Sequence, residues 1–130
     1  MSPTLIWLRH DLRLADNPLF QFETPPEQLM CVYVLDRAWL TPLPGLGVPR
    51  IGSARLRFLW ESLIALRGEL LKRGSDLLVR VGDPETEVAE LAAHHGARQV
   101  RVRREAGWDE SRSLIRLAER LAGGVELWQA

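Results

Sequence analysis

The sequence lacks most features that commit a chain to a disulfide framework, a membrane or a nucleic-acid surface. It has one cysteine, Cys31, inside an apolar run. No disulfide can close within the chain, and a buried structural thiol in a cytoplasmic setting is expected. No apolar run approaches the roughly 20 residues needed to span a bilayer. Met1 to Leu8 have neither the basic segment nor the long apolar stretch of a secretory signal. There is no surplus charge: 17 basic and 17 acidic residues leave a formal net charge of +0. A domain that grips DNA by itself carries excess positive charge.

Chemical motifs are equally scarce. No G-x-G-x-x-G follows the first apolar run, there is no Walker-type loop, and no G-x-S-x-G nucleophile turn is visible. Gly45-Leu46-Gly47 lies in a proline-rich stretch and reads as a bend. One cysteine and three histidines do not make a zinc site. His94-His95 precedes Gly96 and reads as a helix end, and His10 as a surface or interdomain residue.

What is present is a globular composition, 46% hydrophobic and 26% charged, in a chain of single-domain length, 130 residues. Apolar runs alternate with amphipathic segments. Strands are expected at Leu5–Leu8, Met30–Leu35, Leu77–Val81, Gln99–Arg103 and Val125–Trp128. A first helix is expected to start at Asp16-Asn17-Pro18 and stop at Thr24-Pro25-Pro26. Trp39 to Gly52 reads as a long loop. In the helix Ser53–Arg73, Leu56, Leu59, Leu63, Leu66 and Leu70 make one face, which Trp60, Ile64 and Leu71 widen. Asp83 and Pro84 open a third helix that Gly96 ends, and Asp109–Leu121 forms a fourth with Leu114, Ile115, Leu117, Ala118 and Leu121 inward.

The resulting β-α-β-α-β-α-β-α-β order predicts an α/β domain, a five-stranded parallel, doubly wound (Rossmann-like) sheet with helices on both faces. Ligands of such sheets sit beyond the carboxyl ends of the strands, near the switch in strand order. The candidate segments are therefore Arg9 to Arg13, Asp36 to Arg55, Gly82-Asp83 and Arg104 to Trp108. Trp7, Trp60 and Trp128 lie on these strands and helices and read as core or near-core residues.

Trp7-Leu8-Arg9-His10-Asp11-Leu12-Arg13-Leu14-Ala15-Asp16-Asn17-Pro18 resembles the opening of the DNA photolyase/cryptochrome family: an aromatic residue, Arg two places on, Asp-Leu-Arg, then Asp-Asn-Pro. Val34-Leu35-Asp36, Phe58-Leu59-Trp60-Glu61-Ser62-Leu63 and Gly74 to Glu85 resemble later segments in the family's order, the last closest to DASH-type members. The resemblance covers nearly the whole chain. It implies the N-terminal antenna domain, with the FAD-binding helical domain that carries repair or signalling lying outside these 130 residues, in cis or as a separate chain. By the same resemblance, FAD and DNA belong to that domain, and the chain is not catalytic alone.

The antenna would be methenyltetrahydrofolate, a deazaflavin or FMN. Glu105 resembles the family's folate-binding glutamate, although Gly107-Trp108 departs from the usual residues; it could instead be solvated and paired with Arg103 or Arg104. Asp36 and Arg55 resemble positions lining the deazaflavin or flavin slot, with capping and a solvated helix face as the alternatives. Arg9, Asp11, Arg13, Asp16 and Asn17 would form an ion-pair and capping network at the interdomain edge, exposed when that domain is missing and open to dimerisation. Two other readings fit the same fold: a stand-alone nucleotide binder, and an interaction module that docks a helical partner.

Overall fold

The computed structural model describes the chain except residues 1–2, 10, 13, 15–16, 23–27, 41–51, 104–107, 122 and 130, and describes 108–111 in backbone only. Five parallel strands make one sheet: β1 (Thr4–Leu8), β2 (Leu29–Asp36), β3 (Leu77–Gly82), β4 (Gln99–Val102) and β5 (Glu126–Gln129). Their spatial order is β3-β2-β1-β4-β5. The switch therefore falls between β1 and β4, where Leu5 lies opposite Val100. On the other side of β1, Leu5 faces Met30 of β2.

The helices are α1 (Arg37–Leu40), α2 (Ser53–Lys72), α3 (Pro84–His95) and α4 (Trp108–Arg120). Strand alternation splits the core in two. Leu5, Trp7, Val32, Val34, Val100 and Val102 face α3 and α4, meeting Val88, Leu91, Leu114 and Leu117. Ile6, Leu8, Cys31, Tyr33 and Leu77 face the other way, onto Leu63, Leu66 and Leu70 of α2 and onto Leu19. The expected doubly wound sheet, helices on both faces, is what forms. None of the described helices is long and apolar enough to cross a membrane.

Element ends lie within one residue of the sequence reading for most strands and helices. The first crossover differs. Asn17 caps only a three-residue 3-10 turn, Pro18–Phe20, and Gln21 is already extended. The cause is a side chain from β4: Arg101 takes the carbonyls of Leu19 and Gln21 at 3.3 and 3.0 Å, acceptors that a continuing helix would need. In the segment read as loop, α1 adds one helical turn; residues 41–51 lie outside the described ones.

The core assignment is corrected at five positions on two helices. Trp60, Ile64 and Leu71 are 58%, 55% and 52% exposed, and Ile115 and Ala118 are exposed as well. A helix on one sheet buries an apolar stripe a little over 100° wide. Leu63, Leu66 and Leu70 fill that stripe on α2, and Leu114 and Leu117 on α4. Trp7 is buried and Trp128 half-buried, as expected. Gly96 closes α3 in the left-handed conformation at φ 65°. Asp83 sits at the N-cap position of α3, but its carboxylate accepts the Thr86 hydroxyl (2.5 Å) rather than a helix amide.

Candidate functional site

The switch-point crevice is bridged by the protein itself. Arg9, just past β1, sends Nη2 to the Arg103 carbonyl beyond β4 at 2.6 Å, and its guanidinium stands 5.2 Å from the Trp7 ring. The open space lies one strand away, between the ends of β1 and β2 and the first turns of α2. There a cleft of about 430 Å³ is lined by Arg9, Leu12, Tyr33, Trp39, Ala54, Arg55, Phe58, Leu59 and Ser62. Its size falls in the roughly 300–1,000 Å³ range of small-molecule sites.

Each wall follows from local sequence. Arg55, Phe58, Leu59 and Ser62 recur at three- and four-residue steps, so α2 presents them on one flank. Phe58 is 72% exposed and stands at the rim of the cleft. Ser62 donates its hydroxyl to the Phe58 carbonyl at 2.9 Å, which ties the polar group back to the helix. Tyr33 projects from β2 into the floor; burial pushes its phenol up to about 12, so it is neutral there. Trp39 comes from α1, held by the Asp36 carboxylate accepting the Ala38 amide at 2.9 Å. The cleft thus combines three aromatic rings, aliphatic walls and a cationic Arg55 in the first turn of a helix, where amide N–H groups add positive potential. Flat rings and anionic groups suit it.

Of the residues expected from the sequence to bind or to form the interdomain edge, Arg9 and Arg55 border this cleft. Asp36 does not; it caps α1, the alternative left open for it. Glu105, Arg13 and Asp16 lie outside the described residues. Asp11 and Asn17 do pair, but not as exposed groups. Asp11 is 5% and Asn17 1% exposed. The Asn17 amide donates to Asp11 Oδ2 at 3.2 Å and to its carbonyl at 3.3 Å, while Asp11 Oδ1 accepts the Arg9 amide at 3.1 Å. Asn17 Oδ1 accepts the Leu19 amide at 3.1 Å. The exposure expected for these two residues therefore does not hold. Trp39 falls inside the candidate segment Asp36 to Arg55 without having been singled out, and sequence reasoning missed Tyr33 and Phe58; for Phe58 the three- and four-residue spacing from Arg55 to Ser62 was the available signal.

The family model described as DNA photolyase matches residues 4–130. Cryptochrome DASH (chloroplastic/mitochondrial) of Arabidopsis thaliana is 37% identical over 108 residues, covering 82% of this chain and 19% of that protein. Cryptochrome DASH of Natronomonas pharaonis is 36% identical over 131 residues, covering 99% and 27%. Among solved structures, the Synechocystis sp. PCC6803 cryptochrome superposes with a TM-score of 0.86 at 29% identity, over 98% of this chain and 27% of that one. An archaeal photolyase from Sulfolobus tokodaii, solved with two FAD molecules, shares the fold with a TM-score of 0.80 at 21% identity, covering 99% and 29%. The chain spans about a fifth to a quarter of the length of the curated relatives it matches. From its first strand to its last it belongs to the DNA photolyase family and corresponds to that family's N-terminal α/β domain.

Proposed function

We propose that this chain is the light-harvesting domain of a photolyase- or cryptochrome-like flavoprotein and holds its antenna chromophore in the cleft beside α2. The whole protein would carry out light-driven pyrimidine-dimer repair or blue-light sensing, through an FAD-binding helical domain in cis or on a separate chain. DNA would be met through that domain, and the 130 residues would not be catalytic alone. A cytoplasmic setting suits the single buried thiol.

The carrying observation is the cleft itself: Trp39, Phe58, Leu12 and Leu59 around a slot of about 430 Å³, with Arg55 at the start of α2. A ring system in this slot loses water on its faces, and Arg55 meets a phosphate or an ionised ring oxygen. A flat ring that carries an anionic group, as in FMN or a deazaflavin, suits these side chains.

Absorbance of the purified protein tests the reading. A near-ultraviolet or blue band is expected, or, for protein isolated without chromophore, quenching of FMN fluorescence on titration. Phe58→Ala and Arg55→Ala should each weaken retention about fivefold or more, the equivalent of one aromatic contact or one charge-assisted hydrogen bond. A colourless protein that leaves FMN fluorescence unchanged at about 100 μM would remove the proposal.

A further inference from the structure

Of the polar side chains that line the cleft beside α2, one is both buried and unmatched. Ser62 gives its proton to the Phe58 carbonyl at 2.9 Å, and Arg9 sends Nη2 to the Arg103 carbonyl at 2.6 Å. Arg55 is exposed and Trp39 partly so, which leaves both open to water. Tyr33 differs. It is 3% exposed, and it lines the cleft. No hydrogen bond joins its hydroxyl to another described residue. A buried hydroxyl without a partner is costly, and a phenylalanine would fill the same floor without that cost. The hydroxyl is therefore a group that whatever enters the cleft has to meet.

Strand direction sets its depth. Tyr33 lies three residues before β2 ends at Asp36, about 10 Å of strand. Its side chain belongs to the sheet face that α2 covers. α2 starts beyond the carboxyl end of β2 and returns along the sheet to lead into β3, which runs parallel to β2. Arg55, in the first turn of α2, therefore stands at the rim, and Tyr33 lies deeper, on the floor. The cleft thus offers a cation at its mouth and a neutral phenol at its bottom, with Leu12, Phe58 and Leu59 on the walls. Burial holds the phenol's proton in place up to about pH 12, so it is there to be donated.

We propose that the Tyr33 hydroxyl donates a hydrogen bond to a carbonyl oxygen on a flat heteroaromatic ring, and that the ring enters first, leaving its anionic tail to Arg55 at the rim. This rests on the chromophore reading of the cleft and adds the orientation. A ring that closes the cleft displaces the water that otherwise serves the hydroxyl, so the bond has to come from the ring itself. A carbonyl oxygen is an acceptor that a neutral phenol meets without a second charge being buried. An anionic oxygen belongs instead at Arg55, where the guanidinium, the first-turn amides and solvent all favour it. FMN carries both groups, carbonyls on the ring and a phosphate on the tail. Riboflavin carries the same ring without the phosphate.

Titration of the 130-residue chain with FMN and with riboflavin, read by flavin fluorescence, separates the two contacts. Tyr33→Phe should weaken both flavins alike, by about fivefold, the effect of one neutral hydrogen bond. Arg55→Ala should weaken FMN and leave riboflavin unchanged. Tyr33→Phe should also melt no lower than the parent, since no described residue loses a hydrogen bond. Equal binding by Tyr33→Phe and the parent overturns the proposal while the chromophore reading stands. So does a loss confined to FMN, which would put the phosphate on the floor. A melting temperature lowered by Tyr33→Phe overturns it too, because the hydroxyl is then part of the fold. If the parent binds neither flavin at about 100 μM, the reading of the cleft itself fails and the orientation falls with it.

Discussion

At the residue scale, Arg101 does the most that its type does not announce. It sits on β4 between Val100 and Val102, an alternation that marks the neighbours as core and Arg101 as the outward residue. Instead it is 8% exposed, stacked 3.8 Å from the Phe22 ring and 4.1 Å from the Trp128 ring. Its Nε donates to Gln99 Oε1 at 2.8 Å, and its Nη1 takes the Leu19 and Gln21 carbonyls. Burial lowers its pKa, yet a guanidinium stays charged at any working pH. The side chain ties the last strand to the segment after the first. Arg101→Leu should cost about 2–4 kcal/mol, by orphaning two carbonyls and unstacking two rings, and Arg101→Lys should recover little, since an ammonium can neither fork nor stack as a plane. Urea unfolding of the two variants checks this; a lysine variant as stable as the parent would show that charge alone suffices. The sequence could not reveal the arrangement because its partners, Phe22 and Trp128, are 79 and 27 residues away.

At the element scale, the helix that failed and the helix that held teach the same lesson. α2 was legible because Leu63, Leu66 and Leu70 follow the helical period and a single sheet face must receive them. Its outer limits were not legible. Trp60 and Ile64 are as apolar as Leu63, and only the position of the sheet decides which of them is covered. The turn at Pro18–Phe20 was over-extended for the converse reason: Asn17 and Pro18 are good start signals, but a distant arginine takes the carbonyls that would continue the helix. Between α3 and α4 an ion pair adds to the apolar packing. Glu85, 3% exposed in the first turn of α3, accepts both Nε and Nη2 of Arg116, at 3.2 and 2.8 Å. Arg116→Leu strands a buried carboxylate and should cost about 2–3 kcal/mol. Adding Glu85→Leu should return part of that loss, because the pair then becomes apolar packing. A double variant no more stable than Arg116→Leu would argue that the carboxylate is needed for something besides its arginine.

At the scale of the whole molecule, a doubly wound parallel sheet could be inferred from alternation and handedness, whereas the strand order and the position of the cleft came from the structure. The general rule pointed to the switch between β1 and β4. Arg9 closes that gap against Arg103, and the open cleft moves to the β1–β2 side, where α2 begins. The balance of charge bears on what these 130 residues do with DNA by themselves. With 17 positive and 17 negative side chains, few phosphates can be neutralised without bringing carboxylates close to the duplex. The chain alone should therefore bind double-stranded DNA with a dissociation constant weaker than about 100 μM at 0.15 M salt, and illumination should leave pyrimidine dimers intact. Fluorescence anisotropy of a labelled dimer-containing duplex tests the first statement and dimer cleavage under blue light the second. Tight, salt-sensitive binding would mean that a basic surface has been gathered from scattered arginines in spite of the neutral total, and the antenna reading would then have to share the molecule with a direct role on DNA.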